Sequence, residues 1–264
     1  MGNAADTGDA SLLRIETQGA VLTVGLNRPA KRNALNDGII LALRDCFAAI
    51  PEDVGAVVIH GVGDHFSSGL DLSELTERDA TEGLVHSQMW HRVFDRIQYC
   101  RVPVIAALKG AVIGGGLELA CAAHIRVAEP SAYFALPEGQ RGIFVGGGGS
   151  VRLPRLIGVP RMADMMLTGR VYSATEGAAY GFSQYLTEAD GALPKALELA
   201  ERVAANAPLT NFAVLQALPM IAEANPQTGL LMESLMATVA QSDKEAKKRI
   251  RAFLDRKTAK VKPT

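Results

Sequence analysis

The sequence predicts an α/β fold over residues 1–195, followed by a helical C-terminal region over 196–264. Three observations carry that reading. Short apolar runs alternate with helical patterns through the first part of the chain, the order expected of an α/β core. Two of the strand-to-helix joints are glycine-rich, Gly114–Gly116 and Gly146–Gly149. After Val159 nearly every pattern is helical, and Pro208 and Pro226 stand where helix starts tolerate proline. No Pro/Gly/Ser linker marks the boundary between the two parts.

Taken in order, residues 1–10 read as a frayed leader. Leu12–Thr17 and Val21–Leu26 flank Gln18-Gly19, which suits a hairpin. Asn36-Asp37 can cap a helix whose stripe is Ile40, Leu43, Phe47 and Ile50, ended by Pro51. Ala56–Ile59 is a buried strand by composition. The loop GVGDHFSSGLDLSEL follows, with Asp71 or Ser73 starting a short helix. Thr81–Cys100 reads as a longer helix with its stripe on Leu84, Val85, Met89, Val93, Phe94 and Ile97. Val104–Leu108 and Ile125–Ala128 are the next strands, each feeding a glycine loop and a helix. Further helices fall at 161–167, 175–180, 193–205, 209–222, 226–240 and 243–257, and only Gln184–Leu186 interrupts them as a strand.

The totals exclude several classes. A formal net charge of −1 over 264 residues carries no electrostatic signature for nucleic acid or a membrane surface. Cys46, Cys100 and Cys121 are odd in number and lack a C-x-x-C spacing, which argues for reduced thiols in a cytoplasmic setting and against a zinc site. The start lacks a basic region followed by an apolar core, so it does not read as a secretory signal. Lys109, Glu118, Pro103 and the glycines disqualify 102–123 as a membrane span.

The chemistry concentrates between Val102 and Gly149. Glycine lets backbone approach a ligand closely, and a helix N-terminus presents unpaired N–H groups with a positive dipole end. Glu118 stands in the first turn of the helix that Gly114–Gly116 opens, and Glu138 sits on a loop twenty residues later. Two carboxylates beside an oxyanion donor suit acid–base work on a polarised carbonyl. Competing motifs fail. No G-x-G-x-x-G or G-x-S-x-G occurs, Gly146–Gly149 is followed by Ser150-Val151 and not by Lys-Ser/Thr, and the five histidines lack metal-ligand spacing.

Four segments in this order resemble the crotonase superfamily, and within it the enoyl-CoA hydratases: LNRPAKRNALN (26–36), FSSGLDLSEL (66–75), KGAVIGGGLELA (109–120) and ALPEGQRGIFVGGGG (135–149). The resemblance implies a crotonase-like spiral of ββα units with a C-terminal helical trimerisation region. It implies a CoA thioester whose carbonyl lies between the backbone N–H groups of Leu70 and Gly115. It makes Glu118 and Glu138 the catalytic pair; on chemical grounds Glu118 is assigned to the water and Glu138 to delivering a proton to Cα. Gly146 is expected to help hold the water. Coenzyme A is expected at Arg28, Lys31, Arg32, Ala34, Ser68, Asp71 and Leu72, with Phe253 and Lys257 reaching the adenine or a phosphate. No separate cofactor or metal is implied, and the partners are an acyl-CoA substrate and further copies in a homotrimer or homohexamer. The helix dipole is expected to favour ionised Glu118, burial to raise Glu138, and the pair to titrate as a unit.

Three alternatives stay open on the same scaffold. Isomerases of this superfamily often use one carboxylate, and both are present here. GLDLSEL with LPEGQRGIFVGGGG also resembles a bacterial subgroup that includes methylthioacryloyl-CoA hydratase, which hydrates and then hydrolyses its thioester. A non-catalytic RNA-binding relative is disfavoured by the near-neutral charge and the retained glutamates. Nothing in the sequence sizes the acyl pocket.

Overall fold

The hairpin expected at the start forms: β1 (Leu13–Gln18) pairs antiparallel with β2 (Val21–Leu26), with Gln18 opposite Val21. The structure, a computed structural model, describes residues 11–74 and 77–255. The expected leader and Lys257 fall outside those residues. Asn36 caps α1 (Asp37–Ala48) by accepting from the Ile39 N–H at 3.0 Å, and Ile39, Ile40, Leu43 and Phe47 are its buried face. β3 (Ala56–Gly61) follows, and then α2 (Ala80–Gln98), which Asp79 and Glu82 open as a reciprocal capping box. The apolar stripe of α2 begins later than its periodicity predicts. Leu84 and Val85 are exposed, and burial starts at Trp90, Val93, Phe94 and Ile97.

The central stretch folds as β4 (Val104–Leu108), β5 (Ala111–Ile113), α3 (Gly115–Ala122), β6 (Ile125–Ala128) and β7 (Tyr133–Ala135). It continues through α4 (Gly149–Ile157), α5 (Val159–Thr168), β8 (Tyr172–Ser173), α6 (Ala174–Tyr180), β9 (Tyr185–Leu186) and α7 (Ala192–Ala204). The main sheet runs β1-β2-β3-β4-β6-β9, parallel from β2 onward. A second sheet, β5-β7-β8, is invisible in the sequence, since strands of two or three residues are too short to display a period.

The main sheet is buried on both faces, which explains its unbroken apolar runs. Val57, Ile59, Val104, Ala106 and Leu108 face the larger core, which includes α1, α2 and α3 residues. The alternate residues Ala56, Val58, Ile105 and Ala107 pack with Ala196, Leu199 and Ala200 of α7. The boundary expected between residues 195 and 196 falls inside that helix. Beyond it lie α8 (Pro208–Phe212), a π-helical turn at Ala213–Ala217, α9 (Leu218–Glu223), α10 (Pro226–Ser242) and α11 (Lys244–Leu254). The single helix expected over 209–222 is therefore interrupted: Pro219 has no N–H to return, and the ladder widens just ahead of it. Leu230, Leu231 and Leu235 on α10 remain exposed.

Candidate active site

Two backbone amides are brought together by the joint between the sheets. Ser67 bridges Val112, and Leu70 bridges Leu35. The Leu35 N–H donates to the Gly69 carbonyl, and the Asp71 N–H donates to the Leu35 carbonyl, both at 2.8 Å. Extended backbone alternates, so the intervening Leu70 N–H faces the opposite side, toward the start of α3. There Gly115 is the first helical residue, and its N–H is one of the helix's orphan donors. A Cβ on Gly115 would lie 3.6 Å from the Leu70 nitrogen and 2.8 Å from Cζ3 of Trp90. The two amides are neighbours, and the Trp90 ring walls the space beside them.

Both glutamates reach the same place from different elements. Glu118 lies within α3 and is 4% exposed; Glu138 follows β7 and is 8% exposed. The turn before α3 is shaped around Glu138. Gly114 has φ +53° and ψ −124°, and a Cβ there would sit 2.5 Å from Glu138 Oε1. Only glycine occupies that backbone region without strain and leaves room for the carboxyl. Glu118 is held from the other side: the N–H groups of Gly147 and Gly149 donate to its Oε1 at 2.9 and 2.7 Å. Glu138 Oε2 is buried with no protein partner among the described residues.

Burial pushes Glu118 from its ordinary 4.5 up to about 7, opposed in part by the two amides and reinforced by Glu138. The helix dipole expected to favour ionised Glu118 is thus outweighed. At 4% exposure, loss of hydration outweighs the donors that favour the anion. Glu138 is also raised, chiefly by burial. Because the folded-state value of Glu118 exceeds the unfolded one, its contribution to stability declines as pH rises from the unfolded value through about 7. Glu118→Gln is therefore expected to melt above the parent, with a gap that widens over that window to about 2–3 kcal/mol. Thermal melts across pH check this, and a gap independent of pH would contradict it.

The glycine loop makes contacts at both of its polar edges. Gly146 gives its carbonyl to the Ser87 hydroxyl at 2.7 Å, whereas Gly147 and Gly149, which sequence reasoning did not single out, supply the amides on Glu118. At the other end, Arg28, Lys31, Asp71 and Ser68 do cluster. Asp71 pairs with Arg28 at 2.9 Å and Lys31 at 3.1 Å and accepts from the Ser73 hydroxyl at 2.6 Å. Those bonds, Ser73 foremost, hold its carboxyl well below the usual range. Its oxygens are spent on its neighbours, so it aims cations and is itself unsuited to meet phosphate. Arg28 also donates to the Ala34 carbonyl, and Ser68 donates to that of Lys31. Leu72 is exposed beside this cluster. Arg32 adopts φ +50° at the turn that makes the cluster possible.

Asn33 organises that turn and was missed. It is fully buried at φ +54°, accepts from the Arg28 N–H, and donates to the carbonyls of Val62 and His65. An asparagine between Arg32 and an apolar run was the available signal, since Asn tolerates left-handed backbone. Phe253 is exposed on α11, whose contacts run to α10 and the Ala205 carbonyl, so within one chain it is not brought to this cluster. Lys257 lies outside the described residues.

Ser67, a possible nucleophile by type, donates to the Asn33 carbonyl and accepts from Gly69, with no base among its partners. His124 bridges the Val104 N–H and the Gln98 carbonyl, a structural tie between β4 and α2. Among the described residues no group of three or more His, Cys, Asp or Glu could hold a metal ion. No helix there is long and apolar enough to cross a membrane.

Residues 16–263 match the family model described as enoyl-CoA hydratase/isomerase. A 2,3-dehydroadipyl-CoA hydratase of Escherichia coli (strain K12) is 35% identical, covering 96% of this chain and 99% of its own length. A short-chain-enoyl-CoA hydratase of Clostridium acetobutylicum is 32% identical over 92% of this chain and 94% of its own. A crystal structure from Rhodopseudomonas palustris CGA009, of a protein assigned as an enoyl-CoA hydratase, superposes with a TM-score of 0.92. It has 81% identity and covers 98% of this chain and 100% of that one.

Proposed function

Since the chain belongs to the enoyl-CoA hydratase/isomerase family and is an enzyme of the hydratase type, we propose that Glu118 and Glu138 add water across the 2,3 double bond of an enoyl-CoA. The observation that carries this is the convergence of the two buried carboxyls on the turn whose amides, Leu70 and Gly115, lie side by side.

Water attacks Cβ only if negative charge can move onto the thioester oxygen. The Leu70 and Gly115 N–H groups receive that charge, aided by the dipole of α3. Glu118 has its Oε1 fixed by Gly147 and Gly149, which leaves the other oxygen to take a proton from the water that attacks Cβ. Glu138, whose carboxyl burial pushes toward the protonated form, donates to Cα. The hydroxyl and hydrogen that arrive on the substrate balance the proton Glu118 gains and the one Glu138 loses. A Glu118 value near 7 suits a group that must hold either state during turnover. The Gly146 N–H is assigned to the attacking water. Arg28 and Lys31, aimed by Asp71, take the phosphates of coenzyme A.

Mixing the protein with crotonyl-CoA should abolish the enoyl-thioester absorbance and yield 3-hydroxybutyryl-CoA. A panel of short enoyl-CoA thioesters left unchanged would refute the reading. The exposed leucines of α10 support self-association into the trimer or hexamer expected of this family. A monomer in sedimentation would count against that.

A further inference from the structure

The loop that orients Glu118 is itself held by a buried cation. Arg152 of α4 is 8% exposed and spreads its guanidinium over three partners. Nη1 donates to the Gly147 carbonyl at 3.0 Å, Nε to Gln98 Oε1 at 2.6 Å and Nη2 to Asp95 Oδ1 at 2.5 Å. Gln98 and Asp95 are both on α2. The fork therefore ties the glycine loop to α2, and Ser87 fastens the same loop to that helix one residue earlier, at Gly146. The fit is close: a Cβ on Gly148 would clash with Nη1, and one on Gly147 would be 3.0 Å from the Phe94 ring. Nothing in the hydration chemistry above uses this arginine, yet burying a guanidinium is costly unless its donors are met.

We propose that Arg152 is a positioning residue for hydration: its fork fixes the loop so that the Gly147 and Gly149 amides meet Glu118 Oε1 and leave the other oxygen for water. The inference rests on the assignment of Glu118 to the water. The charged and titratable groups around Glu118 are few. Glu138 approaches from the loop after β7, Arg152 from α4, His91 and Asp95 from α2, and Cys121 lies one turn on along α3, while β5 contributes only apolar residues. Of these, Arg152 is the cation that favours the Glu118 anion. Losing it removes a favourable charge and loosens two donor amides, and both effects raise Glu118 in the same direction.

The test is the pH dependence of kcat for crotonyl-CoA in Arg152→Met and Arg152→Lys, with Glu118→Gln alongside. In Arg152→Met the limb that requires ionised Glu118 should move up by about one pH unit, the scale set by loss of a neighbouring opposite charge. Turnover near neutrality should fall, and part of it should return on raising the pH. Arg152→Lys keeps the charge and loses the fork, so its limb should move the same way by less than in Arg152→Met while kcat drops at every pH. A uniform loss in Arg152→Met with an unmoved limb would overturn the proposal and leave Arg152 a packing residue. If Arg152→Met does not fold, Asp95→Asn combined with Gln98→Leu frees the fork from the α2 side. That pair should move the limb the same way by less, and an unmoved limb there overturns the proposal equally. Glu118→Gln separates the two claims: parental turnover in that variant sinks the role of Glu118, whereas an inactive variant with unaltered Arg152 limbs sinks only the role of Arg152.

Discussion

Glu118→Gln and Glu138→Gln are each expected to lower kcat for crotonyl-CoA by roughly 10²–10⁴, the usual contribution of a positioned acid or base. KM should change little, because neither carboxyl is assigned to the CoA moiety. The two losses arise at different points of one exchange. With Gln at 118 the side-chain oxygen still accepts from Gly147 and Gly149, so the loop keeps its shape, but no group remains to take the proton of the attacking water. With Gln at 138 the Cα proton has no donor. The double variant should be little worse than the poorer single one, since residues that act as a unit are not additive. Residual activity is expected from the amides of Leu70 and Gly115, which neither substitution touches. Turnover within a few-fold of the parent in either variant would refute the two-carboxylate assignment.

Gly114→Ala carries the second large effect. At φ +53° and ψ −124° the backbone lies where a side chain is strained by about 1–3 kcal/mol, and the added methyl would meet Glu138 Oε1 at 2.5 Å. Glu138 must then swing away or the turn must open, and either movement also disturbs the neighbouring Gly115 N–H. A displacement of about 1 Å at a reacting group is worth roughly 10² in rate. The variant should fold, melt lower than the parent and lose at least about that factor in kcat. A folded Gly114→Ala with parental kcat would mean that this turn does not place Glu138.

Much of this architecture is legible before any coordinate. The Asn36 cap, the apolar strands β3 and β4 and the helical C-terminus follow from side-chain type and period alone. The two glutamates could be picked out because each stands next to glycine-rich backbone, and the family resemblance set them in roles. What the sequence withheld depends on non-local pairing. β5, β7 and β8 are too short to show alternation, and they exist because each finds a partner already in place. The π-helical turn ahead of Pro219 needed the ladder itself to be visible. Gly147 and Gly149 look like any members of a glycine run until Glu118 lies under them. The upward push on Glu118 was not legible because a helix dipole can be read from position, whereas burial cannot.

The most direct test of the central claim is a crystal structure of Glu138→Gln with crotonyl-CoA bound. The thioester oxygen should lie about 2.7–3.1 Å from both the Leu70 and the Gly115 nitrogens. The Cα–Cβ bond should run between residues 118 and 138, with an ordered water on Glu118 at the Cβ side. A thioester oxygen that bonds neither amide, or an acyl group lodged away from Glu118, would contradict the account.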